Sequence, residues 1–416
     1  MFFRKKTVWT ILFLIITFIT MSTSQVMARN NYAFSAGTTL DNINTVQDIN
    51  DSSNAYATAG YRTYSMVDPT YVKLAENLYA DVQFFSTHGN LDFINFKNCG
   101  IQVGNSNSIY IGTNSVNWNN DTILVTYSSC NSAGTGGNSS TDSISCKTAE
   151  SGANVAVGFR NTIDAGSATN WAKRYNNRLA QGYGVLDSVN YANSYIYLYP
   201  NVKQTQVWHH GEANMKIGKY RSMSNNIIDK RNILLKDEMK KKSTIVVENN
   251  LESIIAYISQ YYPNFDIKNY NIINRNEAIA TNIELNEVTE YISYIDFQFK
   301  IGDFVTETGY TIEIHDGNIQ AIYDNNINIE KQEKILAKTS EFVVKVKETS
   351  LEKMRQEAMS KVSKKYNSQL LEDDVDIKYY YDIQADKKYI VYSIPSIIET
   401  NNGKQGILYD NVRYEI

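Results

Sequence analysis

Proline, cysteine and histidine are scarce in this chain of 416 residues, which holds four, three and four of them. Three thiols are too few, and odd in number, for a disulfide-stapled scaffold, so at least one is left over. Four histidines leave few ligands for a metal centre, and His209-His210 reads as the end of a strand before it reads as a metal site. The glycine-rich run Gly134–Gly137 lacks the Lys-Ser/Thr of a phosphate loop, which argues against nucleotide binding. Excess positive charge is missing too. The formal net charge is −4, and the first 28 residues carry three basic residues and no acid, so the rest stands at −7. That balance gives no reason to expect nucleic acid or anionic lipid as a partner.

The chain opens on an export signal. Arg4, Lys5 and Lys6 precede an apolar run from Val8 to Ile19, and Val26-Met27-Ala28 supplies small residues for cleavage after Ala28. An uncleaved membrane anchor is the alternative, although the run is short for a span and no other stretch could cross a bilayer. No cysteine closes the apolar run, which disfavours a lipid anchor. The expected location is therefore secreted or cell-envelope associated. The remaining residues, about 390, suggest two or three domains. Abundant Asn, Ile, Lys and Tyr with little Pro fit an AT-rich bacterial gene.

Residues 30–54 are polar and without period, and read as a loose arm. Tyr61–Met66 is a short strand, Asp68-Pro69 starts a helix, and a second strand ends at His88, giving a βαβ unit. Short β runs follow near Phe93–Phe96, Gly100–Val103 and Ser108–Ile111. Residues 131–140 form a flexible Gly/Ser segment. A helix near Ser140–Glu150, a strand over Gly152–Phe159, helices over Ala168–Gln181 and Val185–Asn193, and a closing strand at Gln204–Trp208 complete a largely parallel sheet covered on both faces. Residues 218–243 read as an exposed basic linker, and Lys230-Arg231 and Lys240–Lys242 within it are candidate self-processing sites. Beyond it, a helix over Leu251–Tyr261 precedes a meander, and a long charged helix over Glu330–Lys365 precedes three more strands. That pattern predicts two small α+β units, 244–328 and 329–416.

Two strand ends carry the chemistry. Val82, Phe84 and Phe85 lead to His88-Gly89, and Ile123, Leu124, Val125 and Tyr127 lead to Cys130. Both runs have the β-branched and aromatic bias of buried strands. Polar sequence follows each, so His88 and Cys130 should lie on loops at the sheet edge where open α/β folds bind ligands. A thiol beside an imidazole suggests a nucleophile and its base. The plainer readings are a core cysteine, a Cys130–Cys146 pair, and a structural histidine; Cys99 and Cys146 read as bystanders or a pair.

Phe85-Ser-Thr-His88-Gly89, Tyr127-Ser-Ser-Cys130, the later strand Val155–Phe159 and the helix carrying Trp171 and Leu179 together resemble the caspase-like cysteine peptidases of clan CD, the group of clostripain, gingipains, legumain and caspases. The resemblance spans Tyr61 to Lys216, and residues 29–217 would be the peptidase domain. It implies Cys130 as nucleophile, His88 as acid/base, and the backbone N–H groups of Gly89 and Cys130 as oxyanion hole, with donors worth about 3 kcal/mol each. It also implies a dyad without a third member and a substrate bound as an extended strand. Arg/Lys-specific members carry an acid near the nucleophile. Here Ser128 precedes Cys130, Arg160 ends the next strand, and Asp164 follows, so Asp164 in the pocket would select a basic residue and Arg160 an acidic one, the former being favoured. No cofactor is expected, calcium entering only by analogy with some relatives. Sortase, which also ends a strand in Cys, fits less well because helices follow here.

Gly309–Tyr323 resembles the strand–turn–strand of PepSY-type domains found in peptidase propeptides. That likeness implies that the C-terminal region inhibits or positions the peptidase; otherwise it is a packing or envelope-binding module. The reading is an exported cysteine endopeptidase acting on peptides or proteins, with a catalytically silent, peptide-binding scaffold as the alternative.

Overall fold

The structure is a computed structural model. It describes residues 31–104, 108–111, 114–116, 118, 122–194, 204–220, 233–235, 251–315, 318–325, 329–366, 368–383, 385–399 and 405–416. The expected leader, most of the basic linker and the turn at 316–317 lie outside these residues. The protein is mixed α/β, with a large central sheet whose first half is parallel and flanked by helices.

The first half is built from β1 (Tyr32–Gly37), β2 (Arg62–Val67) and β3 (Val82–Ser86). Strand β1 pairs in parallel with both β2 and β3, so it lies between them. The 30–54 stretch is thus not an arm: it supplies an inner strand and then helix α1 (Val46–Thr58). Its composition hid this because the buried face of α1 is made of Asp48, Ile49, Ser52, Ala55 and Tyr56. Ser52 of that face is satisfied internally, its Oγ donating to Ser35 Oγ of β1 at 2.8 Å, and with Asp48 beside it the face leaves no apolar stripe to read. The helix expected from Pro69 begins later, as α2 (Tyr71–Asn77) capped by Thr70. Asp68 instead adopts φ 48° and folds back on the turn after β1.

His88 does not sit in a loop. It opens β4 (His88–Asn90), first strand of a five-stranded antiparallel sheet with β5 (Phe93–Asn95), β6 (Gly100–Val103), β7 (Ile109–Ile111) and β8 (Asn114–Val116). Next comes β9 (Leu124–Ser128), parallel to β3. The Gly/Ser segment is an ordered hairpin, β10 (Gly134–Thr135) and β11 (Asn138–Ser139), turned by Gly136 and Gly137 at φ 58° and 85°. Glycine is needed there because side chains disfavour positive φ. Helix α3 (Ile144–Glu150) and β12 (Val155–Phe159, parallel to β9) follow, then α4 (Ala165–Ala180) and α5 (Val185–Asn193).

Alternation along the strands covers both faces. Ala33, Val82, Phe84, Leu124 and Val157 pack with Tyr56, Trp171, Leu179 and Val189 on one side. Phe34, Phe85, Val125 and Tyr127 pack with Leu74, Leu78, Ile144 and the small sheet's Ile94, Ile101 and Ile111 on the other. Side chains fully buried in this way contribute about 1.5–3 kcal/mol each.

Strand β13 (Thr205–His209) does not close the sheet. It runs antiparallel to β12 and in parallel with β15 (Tyr270–Asn282), so the sheet continues into the C-terminal half. The core continues with it, since Ala278, Ala280, Ile292 and Tyr294 join the first-half cluster. Within the linker stretch, β14 (Ile233–Leu235) pairs with β18 (Asn318–Asp324). Helix α6 (Leu251–Tyr261) precedes β15 (Tyr270–Asn282), β16 (Glu287–Ile301), β17 (Phe304–His315) and β18 (Asn318–Asp324).

The single charged helix is in fact two, α7 (Ile329–Leu336) and α8 (Glu348–Tyr366), separated by a short 3-10 turn at Thr339–Glu341 and extended backbone. The break follows from Phe342, which turns inward to stack edge-on against Phe304 and Tyr381. The last strands are β19 (Gln369–Leu370), β20 (Asp376–Asp382), β21 (Lys387–Glu399) and β22 (Gln405–Glu415). Strand β22 pairs with β21 along its whole length.

Candidate active site

Residues from six chain segments line one cavity of about 360 Å³ at the C-terminal ends of β3 and β9. His88 and Cys130 both line it. The turn after β9 starts at Cys130, and Asn131, at φ 53°, makes the reversal that lifts the thiol out of the strand. The first turns of α1 and α4 also line the cavity, through Thr45 and Asp48 and through Ala165 and Gly166. Helix N-termini present unpaired N–H groups and a partial positive charge, which favours a thiolate or an oxyanion nearby.

His88 is almost fully buried. Its Nε2 lies 3.3 Å from the carbonyl oxygen of Leu40. A carbonyl only accepts, so the neutral ring carries its proton on Nε2 and its lone pair on Nδ1. Burial pushes the His88 pKa down to about 4, against a smaller opposing effect of the Leu40 carbonyl. The ring is thus a neutral base at pH 7. Asp41 Oδ2 stands 3.9 Å from the same Nε2. With the ring neutral this is a long polar contact and not an ion pair. Asp41 adopts φ 51°, and its Oδ2 is buried without a hydrogen-bond partner.

The Cys130 thiol is half-buried and faces two carbonyl oxygens, Ile163 at 3.6 Å and Ile407 of β22 at 3.9 Å. Among the described residues it makes no hydrogen bond to His88. Burial pushes its pKa up to about 11, and the charge of Asp164 adds to this. All three cysteines are free, so neither of the alternative pairings, Cys130–Cys146 or Cys99–Cys146, forms. Cys99 donates to Pro69 O, and Cys146 is buried in α3.

Gly89 lies directly against the Ser129–Cys130 segment. A Cβ there would come within 2.8 Å of Ser129 Cβ and Oγ and 3.2 Å of Cys130 O. The close approach explains why glycine stands at this position. It also brings the two backbone segments expected to form the oxyanion hole together.

The pocket candidates separate. Ser128 lines the cavity, with its buried hydroxyl unpartnered. Asp164 lines it too, but both of its oxygens are engaged. Oδ1 caps α4 by accepting from Ser167 N at 2.8 Å, and Oδ2 accepts from Asn411 Nδ2 of β22 at 2.8 Å. Burial raises its pKa to about 6. Arg160 is excluded from the cavity. It is buried on the other side of its strand end, where Nε donates to Thr205 O at 3.2 Å and Nη1 to Gly137 O, holding the β10–β11 hairpin.

Sequence reasoning missed Leu40, Asp41 and Asp48, all within the stretch read as an arm. Asp48 accepts from Ser86 Oγ at 2.6 Å through Oδ2, while Oδ1 is buried without a partner. Unpartnered buried oxygens are rare in proteins. Here Asp41, Asp48, Ser128 and Ser129 each contribute one around the same site. Strand β22 was also missed as a wall of the cavity, with Tyr409, Asp410, Asn411 and Arg413 lining it.

His209 and His210 bind elsewhere, to Thr289 Oγ1 and to Ala149 O, each at 2.9 Å. Among the described residues no group of three or more His, Cys, Asp or Glu side chains converges on a common point, and no helix is long and apolar enough to cross a membrane. No protein-family model matches the chain, and no curated protein matches it.

Proposed function

We propose that the protein is an exported cysteine endopeptidase of the caspase-like kind, with Cys130 as nucleophile and His88 as general base and acid. The observation that carries this reading is the convergence of the two strand-end residues on one cavity, with the His88 Nδ1 lone pair uncommitted and Gly89 packed against Cys130. In this mechanism the Cys130 proton passes to Nδ1, and the thiolate attacks the scissile carbonyl carbon. The backbone N–H groups of Gly89 and Cys130 receive the oxyanion. The imidazolium then protonates the departing amine, leaving an acyl-thioester that water, deprotonated by His88, hydrolyses.

A basic residue before the scissile bond is favoured. Asp48 and Asp164 line the cavity, and Arg160, which would have selected an acid, is outside it. The cationic residues of the cavity wall, Lys365 and Arg413, come from the C-terminal region.

A second reading, a silent scaffold that binds an extended peptide, draws on the raised Cys130 pKa and the β22 carbonyl against its sulfur. Incubation of the purified chain with a peptide library, beside Cys130→Ala and His88→Ala, separates the two. Cleavage that both variants abolish supports the peptidase, and its absence after β22 has been displaced removes it.

A further inference from the structure

We infer that β22 is a built-in occupant of the Cys130 cleft, which holds the site closed by laying an unreactive strand where a substrate would lie. The inference deepens the peptidase reading and rests on it for the identity of the nucleophile.

Three contacts fix the strand in place. Ile407 O sits 3.9 Å from Cys130 Sγ. Tyr409 forms a parallel bridge with Asp164. Asn411 donates from Nδ2 to Asp164 Oδ2 at 2.8 Å. The contacting residues alternate along the strand, as expected when one edge of an extended segment faces a groove. This is recognition by strand addition, the mode an extended peptide substrate would use. Substrate and β22 therefore compete for the same backbone positions.

The strand is placed so that it is not cut. Attack requires the carbonyl carbon toward sulfur and the oxygen toward the N–H donors of Gly89 and Cys130. At Ile407 the oxygen itself faces the sulfur at 3.9 Å, beside the nearer acceptor of the thiol proton, Ile163 O at 3.6 Å. Pairing with β21 from Glu399↔Gln405 to Tyr389↔Glu415 keeps β22 from being drawn further into the groove. The thiol is likewise directed at the carbonyls of Ile163 and, in β22, Ile407, and not at His88. Departure of β22 would uncover Cys130, free Asp164 Oδ2 and open the acid-lined end of the cavity together.

The test uses the full-length chain and Asn411→Asp, which sets a carboxylate against Asp164 in place of a donor. Iodoacetamide labelling of each cysteine is followed by peptide mass mapping at neutral pH, with amide exchange of residues 405–413 measured in parallel. In the unmodified chain Cys130 should label no faster than Cys99. Loss of a hydrogen bond to a carboxylate with like charge in its place should raise Cys130 labelling about tenfold or more, with Cys99 and Cys146 unchanged. Fast Cys130 labelling in the unmodified chain overturns the inference. So does unchanged labelling in Asn411→Asp once exchange shows that the strand has let go. If Cys146 also becomes reactive the variant has unfolded, and Asn411→Ala, which only deletes the contact, is held to the same two outcomes. Peptide turnover on the same samples keeps the two proposals apart. Exposed Cys130 without turnover leaves the occupant and removes the peptidase, whereas equal turnover by the unmodified chain and the variant does the reverse.

Discussion

The imidazole of His88 donates from Nε2 to the carbonyl oxygen of Leu40 at 3.3 Å. This bond sets the tautomer, and the loop behind it sets the bond. Leu40 N donates to Thr38 Oγ1 at 3.0 Å, and Thr38 Oγ1 donates to Asp68 Oδ1 at 2.6 Å. Asp68 also accepts from Thr39 and from Lys97 N. Burial opposes its ionisation, but these hydrogen bonds hold its pKa below the usual carboxylate value. Asp68 is therefore a positioning residue for His88. Asp68→Ala should loosen the turn, let water reach the ring, and raise the His88 pKa from about 4 toward 6.5. Histidine-resolved NMR titration checks it. An unmoved His88 titration would remove Asp68 from the chain of support.

Asp41 stands on the same turn with one buried oxygen unpartnered and 3.9 Å from the ring. It does little for neutral His88, but an imidazolium formed during turnover would gain a nearby negative charge. Asp41→Asn keeps a residue type tolerant of the left-handed backbone while deleting that charge. Turnover of a cleaved peptide should fall about tenfold in kcat with KM nearly unchanged, and unfolding by urea should shift little. A change confined to KM would assign Asp41 to substrate binding instead.

Gly89→Ala tests the close approach of the two strand ends. The added methyl would meet Ser129 at 2.8 Å, a distance that cannot be held without displacing the Ser129–Cys130 backbone. Overpacking of this kind costs about 1–3 kcal/mol. If these N–H groups form an oxyanion hole, kcat should also fall by about 10²-fold or more. Urea unfolding and peptide turnover on one sample read both effects. Full activity in a destabilised variant would mean that the glycine serves packing alone.

The residues that could be read in advance were those whose burial leaves a local trace. Val82–Phe85 and Ile123–Tyr127 are largely apolar, each broken by a single buried polar residue, Gln83 and Thr126, because both sheet faces are covered, and a reactive residue at each end stands out. Strand β1 and helix α1 left no such trace, since Ser35, Asp48 and Ser52 satisfy one another or Ser86 inside the fold. Asp41 and Asp48 were lost with them. Strand β15 pairs with both β13 and β16, an arrangement fixed by partners far away in sequence and not by its own pattern. The contact of Ile407 with Cys130 is more distant still, and nothing in either segment's composition announces it.

His88 and Asp164 make opposite contributions to stability over nearly the same pH range. The His88 pKa is depressed from 6.5 to about 4, burial being the main cause. Above 6.5 the ring is neutral in both folded and unfolded chains. As pH falls toward 4 the unfolded chain takes up a proton that the folded one refuses, so this contribution to stability is lost. Asp164 has its pKa raised from 3.8 to about 6, again chiefly by burial, with Asp410 adding to the rise and Arg413 opposing it. Between 3.8 and 6 the unfolded chain has released a proton that the folded chain keeps, so stability falls as pH rises. Each contribution amounts to about 3 kcal/mol, and together they nearly cancel between pH 4 and 6. Replacing one group should expose the other. The stability of His88→Gln relative to the unmodified chain should increase by about 3 kcal/mol as pH is lowered from 6.5 to 4, while that of Asp164→Asn should increase by a similar amount as pH is raised from 4 to 6. Urea unfolding at fixed pH steps measures both. Parallel curves for the unmodified chain and His88→Gln would mean that the ring titrates normally, and would return His88 to an exposed, ordinary histidine.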